Sequence, residues 1–196
     1  PITIPTPLTI ALDRSQIRLP VTRISGQGID LKLGGAIGLQ DEAAMNFALN
    51  GTVNLERLPS TTPGLYLLGT VNLDARLTGT ADKPAINGAV DVNGLGLSTA
   101  ELPVFLSNGI GRVTLAGDQL KAERFIAEAN DGRLEIDGSA KLIDLRPAEW
   151  KFNIKAANAE IYYDQFSATV NGALTLVGTP AGQRLDGTIT VPLGEY

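Results

Sequence analysis

Along most of this chain every second residue is apolar, and the alternation passes through glycine without changing phase. Met45, Phe47, Leu49, Gly51, Val53 and Leu55 form one such row. Ile29, Leu31, Leu33, Gly35, Ile37 and Leu39 form another, and Leu65, Leu67, Gly69, Val71, Leu73, Ala75 and Leu77 a third. The same pattern surrounds Gly88, Gly138, Gly172 and Gly187. Period-two alternation predicts strands with one buried face. A glycine inside the apolar row removes a side chain where the sheet bends or another backbone comes close. The pattern therefore predicts long, curved strands that share one aliphatic concave face.

Several of these glycines follow Asn or Asp, a pair that often marks a tight hairpin turn. Phase argues against turns here. A two-residue turn at Asn50-Gly51 would set Leu49 against Thr52 and Phe47 against Asn54. Asn87-Gly88 would bring Asp91 onto the apolar face, and Asp137-Gly138 would oppose Ile136 to Ser139 and Leu134 to Lys141. A one-residue slip moves every side chain to the other face, so continuous strands, or a strand with a glycine bulge, fit these sites. Asp131-Gly132 and Asn108-Gly109 are expected as true turns.

Strand-like rows follow at residues 28–39, 44–56, 65–78, 85–92, 110–116, 119–129, 132–143, 150–156, 159–163, 166–177 and 184–192. Ahead of them, Leu8/Ile10/Leu12 and Ile17/Leu19 are short stretches broken by prolines, as at a sheet edge. Breaks are expected at Asp41-Glu42, from Pro59 to Gly64, at Asp82-Lys83-Pro84, at Arg146-Pro147 and at Pro180-Ala181-Gly182. Rows of about eleven residues would reach roughly 36 Å, longer than common strands. No segment has a convincing amphipathic helical period; residues 99–108 could hold one helical turn, interrupted by Pro103. A one-sided apolar sheet must then be covered by another sheet or by something other than protein.

The unit recurs. Residues 70–80 (TVNLDARLTGT) align with residues 169–179 (TVNGALTLVGT) at an offset of 99 positions, and Ile86-Asn87-Gly88 aligns with Leu185-Asp186-Gly187 at the same offset. Strand, Gly-Thr, proline-bearing loop and strand return with their spacing intact, as in a stacked array. The 196 residues are read as one elongated β domain cut from a longer, repeat-built chain, with the internal repeat at 70–92 and 169–191.

Composition narrows the chemistry. Aromatics are only 5%, so the apolar face is small and aliphatic. Net charge is −5 with basic residues scattered singly, which argues against nucleic acid, whose binding needs clustered Lys and Arg. The sequence has no cysteine and no histidine, which removes thiol nucleophiles, Ser-His-Asp triads and the usual zinc and copper sites. No apolar run approaches the roughly 20 residues of a membrane-spanning helix. Phosphate-cradling loops and nucleophile elbows are missing as well.

The order of several short motifs resembles the AsmA-like superfamily, and most closely its TamB (translocation and assembly module) family. Those motifs are Gly79-Thr80, Pro84 and the Ile86-Asn87-Gly88-Ala89-Val90 strand, then Gly111-Arg112-Val113-Thr114-Leu115 and Leu120. Residues 131–138 (DGRLEIDG), Ala157-Asn158, Tyr162, residues 172–176, Gly178-Thr179-Pro180 and Leu185-Asp186-Gly187 continue the order. The resemblance covers residues 24–192 and rests on sequence order, because each motif alone is degenerate. It implies a mostly antiparallel, twisted sheet curved into an open half-pipe, the β-taco, with an apolar groove. It further implies a periplasmic location, an inner-membrane anchor in the full-length protein, phospholipid passage to the outer membrane and an Omp85-type barrel as partner. No residue here is matched to the anchor, and none is assigned to the barrel.

Candidate sites follow from both lines. The expected groove lining is Met45, Phe47, Leu49, Val53, Leu55, Leu67, Val71, Leu73, Leu77, Val113, Leu115, Leu134, Ile136, Leu174 and Leu176. Its expected occupants are phospholipid acyl chains; a fatty acid or detergent would fit equally, and no cofactor or metal is implied. Asp41/Glu42 and Glu123/Glu128 are local carboxylate pairs, read as solvated charge. Asp137 and Asp186 are expected to accept from nearby backbone. Trp150 opens an apolar row with Phe152, Ile154 and Ala156; Tyr162 and Tyr163 are candidate recognition aromatics, though packing is the plainer reading. Asn50-Gly51-Thr52 matches a glycosylation sequon but lies mid-strand. The competing expectation is a structural or adhesive module, a β-sandwich or solenoid with a dry core. No catalytic constellation supports an enzyme. The terminal strands of the sheet are expected to self-associate through unpaired edges.

Overall fold

The computed structural model of the chain describes residues 10–39, 43–59, 64–99, 105–163 and 166–195. The described strands are β1 (Ala11–Leu12), β2 (Gln16–Gly26), β3 (Ile29–Gly38), β4 (Met45–Asn54), β5 (Tyr66–Gly79) and β6 (Pro84–Ser98). They continue as β7 (Leu106–Gly117), β8 (Gln119–Ala129), β9 (Gly132–Ile143), β10 (Arg146–Tyr163), β11 (Phe166–Thr179) and β12 (Gly182–Glu195). Order in the sheet equals order in the chain, and each strand is antiparallel to the next. The molecule is thus one meander, curved and unclosed, with β1 and β12 at its edges.

Local chemistry explains the reversals. Gln27 and Gly28 link the paired residues Gly26 and Ile29, both at positive φ (45° and 85°), the primed turn whose twist suits a tight hairpin. Asp144 and Leu145 do the same between Ile143 and Arg146, at φ 51° and 61°. Pro180-Ala181 joins Thr179 to Gly182, with proline supplying a preset φ. Between Gly79 and Pro84, Thr80 and Lys83 exchange backbone hydrogen bonds of 3.2 Å.

Glycine stays within strands where phase required it: Gly51, Gly88, Gly138, Gly172 and Gly187 all pair across continuous strands. The two aligned stretches of sequence occupy equivalent hairpins in one register. Ala75 faces Gly88 in β5–β6 and Leu174 faces Gly187 in β11–β12, both glycines at positive φ (151° and 143°).

Other details differ from expectation. Asn108-Gly109 is a bulge inside β7, not a turn; Asn108 takes φ 51° where the pairing with β8 slips between Ser107 and Ile110. Asp131-Gly132 does border a hairpin, at Asn130-Asp131. Arg146-Pro147 does not break the chain: Pro147 sits opposite Leu142 beside a register shift, a bulge position that spares the missing N–H. Residues 150–156 and 159–163 belong to the single strand β10, bent by a shift between Ala156 and Ala159, and β6 runs on to Ser98. Leu55–Arg57 leaves the sheet as one 3-10 turn, capped where the Asn54 side chain accepts from the Arg57 amide (3.3 Å). Asp41-Glu42 and residues 100–104 lie outside the described residues, but Leu106, Ser107 and Asn108 are strand.

All described strands belong to one sheet, so no second layer exists among them to make a sandwich. The accessible surface, 12606 Å², far exceeds the roughly 8,900 Å² of a compact monomer of 20.6 kDa. The buried apolar residues are Ala75, Ala127, Ala129, Ala140, Leu142, Ala159 and Ala168, and among the described residues no large side chain is fully buried. Bulges between successive strand pairs add bend and twist to this single layer.

Candidate functional site: a continuous apolar face

Register converts the separate strand rows into rows that cross the sheet. Following the pairing from β2 to β12 gives Ile24, Leu31, Gly51, Leu73, Val90, Val113, Ala122, Gly138, Phe152, Leu176 and Leu185. One step along the strands, a parallel row runs through Ile29, Val53, Val71, Val92, Gly111, Phe125, Ile136, Ile154, Leu174 and Gly187. Neither contains a polar side chain. At about 4.8 Å per strand the first row is about 48 Å long.

Flanking rows widen the face. Leu33, Leu49, Ala75, Gly88, Leu115, Leu120, Ala140, Trp150 and Gly178 form one. Phe47 and Leu77 lie beyond it between Gly35 and Ile86, and Met45 beyond them beside Ile37. On the other flank Leu134 sits between Ala127 and Ala156, and Leu67 joins Leu97, Leu106 and Ala129. Fourteen of the fifteen residues expected as lining therefore share one face; Leu55 does not, because it starts the 3-10 turn. These side chains are half-buried, shielded by neighbours on the same face. The structure adds Ile86, Val90 and Val92 of β6, Phe125 of β8 and Trp150, Phe152 and Ile154 of β10. Their alternation was visible, but only pairing shows that they join the same rows.

The opposite face carries the charged side chains, bonded along and across strands, with Leu68, Ile110 and Val177 exposed among them. Arg23 pairs with Asp30 (2.7 Å), Arg112 with Asp91 (3.0 Å), and Arg124 and Arg133 both donate to Glu135 (3.0 and 2.8 Å). The Arg124 hydrogen bond, reinforced by Arg133, holds the Glu135 carboxyl below its ordinary range against a smaller desolvation effect. Asp137 and Asp186 bond side chains rather than the backbone: Asn153 donates to Asp137 (2.9 Å) and Arg184 pairs with Asp186 (2.7 Å).

Glu128 is occupied by the Ser107 hydroxyl (3.0 Å) and the Asn108 amide (2.7 Å), Glu123 is exposed, and Asp41 and Glu42 lie outside the described residues. Tyr162 is exposed and donates to Glu160, which raises its phenol above the usual range. The side chain of Tyr163 is outside the described set.

Residues 118–196, the span of β8 to β12, match the family model of the TamB C-terminal domain. Over this span the chain is similar to the TamB family. The match starts well after residue 24, so strands β3 to β7 are joined to the TamB strands by pairing, not by family match. Both long apolar rows pass from β7 into the TamB strands without a polar interruption. TamB is a transport and assembly family. Comparison with curated proteins and with solved structures gives no match.

Proposed function

We propose that this chain is a segment of a periplasmic conduit for phospholipids, in which acyl chains occupy the apolar face as a groove and headgroups remain in water. One observation carries the reading: two apolar rows run unbroken to β12, one from β2 and one from β3, in a sheet with no second layer among the described residues. Soluble monomers seldom expose contiguous apolar patches beyond a few hundred Å², so such a face needs an occupant. A buried methylene contributes about 0.8 kcal/mol, so a sixteen-carbon chain gains at most about 12 kcal/mol. Spread over evenly aliphatic rows, that gain is similar at every position, and sliding meets no deep trap. No bond need form or break.

The match of residues 118–196 to the TamB family model supports an envelope setting and a role in outer-membrane biogenesis. In the full-length protein an inner-membrane anchor and an Omp85-type barrel would stand at the two ends of such a conduit. The test is transfer of fluorescent phospholipid between donor and acceptor vesicles by the full-length protein. Native protein is expected to speed transfer, and Leu73→Asp to abolish the gain while the sheet stays folded. Equal transfer by the two would overturn the conduit.

A further inference from the structure

On the apolar face, each aromatic ring whose side chain is described lies opposite a glycine of the neighbouring strand. Phe47 faces Gly35, Phe125 faces Gly111, Phe152 faces Gly138 and Trp150 faces Gly178. Backbone conformation does not demand these four glycines, because none has a positive φ. At Gly178 and Gly111 the ring is the nearest obstacle to a side chain; at Gly35 and Gly138 a strand carbonyl oxygen, 2.3 Å away, is nearer than the ring. A Cβ built on Gly178 would stand 2.6 Å from Nε1 and Cε2 and 2.7 Å from Cζ2 of Trp150, and one on Gly111 would stand 2.8 Å from Cδ2 of Phe125. On Gly35 and Gly138 the Cδ1 atoms of Phe47 and Phe152 would be 2.6 and 2.5 Å away, so ring and backbone together exclude a side chain. The remaining described aromatics, Tyr66, Phe105 and Tyr162, are exposed.

We infer that these ring–glycine pairs set the depth of the groove. Each ring lies down into the volume that a side chain would fill, so the bulkiest groups pave the floor and do not stand across it. This use of glycine differs from stabilising an edge by covering bare backbone, because the covered residues sit inside rows that must stay passable. The inference rests on the lipid reading and names its calibre-setting residues. Gly178 is the cleanest of the four, since its nearest three atoms all belong to the indole. Adding a methyl there forces the ring up by about 1 Å to regain ordinary contact, into the path.

Trp150 is the sole tryptophan, so its fluorescence reports on the groove without a label. The probe is phosphatidylcholine with a dibrominated acyl chain, supplied in vesicles, with bound lipid then counted by mass spectrometry. Native protein should load lipid and show quenched Trp150 emission. Gly178→Ala, with unchanged circular dichroism, should hold several-fold less lipid, and Gly178→Ala with Trp150→Leu should regain it. A purely structural role for Gly178 predicts no such rescue. If Gly178→Ala fails to fold, Gly111→Ala with and without Phe125→Leu makes the same comparison. Native loading and quenching with an equally loaded Gly178→Ala overturns this inference alone, as does a folded double variant that stays empty. Native protein that neither loads nor is quenched overturns the lipid reading and this inference with it.

Discussion

Leu73 lies between Gly51 and Val90, in the middle of a row with no polar member. An aspartate there would stand unpaired among aliphatic groups, yet it would still reach water on an unoccupied face. Leu73→Asp is therefore expected to leave unfolding nearly unchanged and to cost affinity, because an acyl chain must strip that water from the charge. Leu174→Arg, between Ile154 and Gly187, should behave alike. Glycines in the same rows separate into kinds. Gly51 has φ 147°, and a Cβ on it would drive into the Asp30 carbonyl, so Gly51→Ala should lose about 1–3 kcal/mol of stability in urea unfolding. Gly172 has no positive φ, and its nearest atoms would be at 3.5 and 3.7 Å, so Gly172→Ala should be tolerated. In sequence these two glycines look identical. Their difference comes from backbone on another strand, which alternation along one strand does not encode.

Strand positions were legible because phase is local: Gly51 and Gly88 could be kept inside strands by asking what a turn would oppose. Bulges were not. Asn108-Gly109 offers the same two residues to a turn and to a bulge, and the choice was made by neighbours on β6 and β8. Pro147 suggested a break, whereas the reversal is carried by Asp144 and Leu145, residues with little turn signature beyond the aspartate. Pairing of β8 with β9 carries a testable charge. Glu135 is held below its usual 4.5 by Arg124 first and Arg133 second. A carboxyl with a depressed folded pKa stabilises at pH above its unfolded value, and that contribution disappears as pH falls through the folded one. Melting temperature should therefore drop as pH is lowered below about 4.5, and Glu135→Gln should flatten that part of the profile. An unchanged slope would show the pair to be idle. Its carboxylate is solvent-exposed, so the effect is expected to be small and weaker in salt.

At the scale of the molecule, alternation alone fitted both a sandwich and an open trough, since each uses one apolar face per strand. Sheet membership separates them: every described strand lies in one curved layer, and the largest side chains stay partly exposed. The two edges are unequal. β2 is capped by the short β1 and bulges at Pro20 and Val21, while β12 presents Leu185, Ile189 and Val191 at 54–58% exposure. Unpaired edges of this kind add strands. Sedimentation of this 196-residue chain should show concentration-dependent association that Ile189→Lys reduces; a monomer at all concentrations would contradict it. The occupant of the face is a separate matter and is measured directly. Native mass spectrometry of protein purified without detergent should show phospholipid bound at near-stoichiometric amounts, lost in Leu73→Asp. Bare protein at every step of that purification, with the sheet intact, would contradict the account.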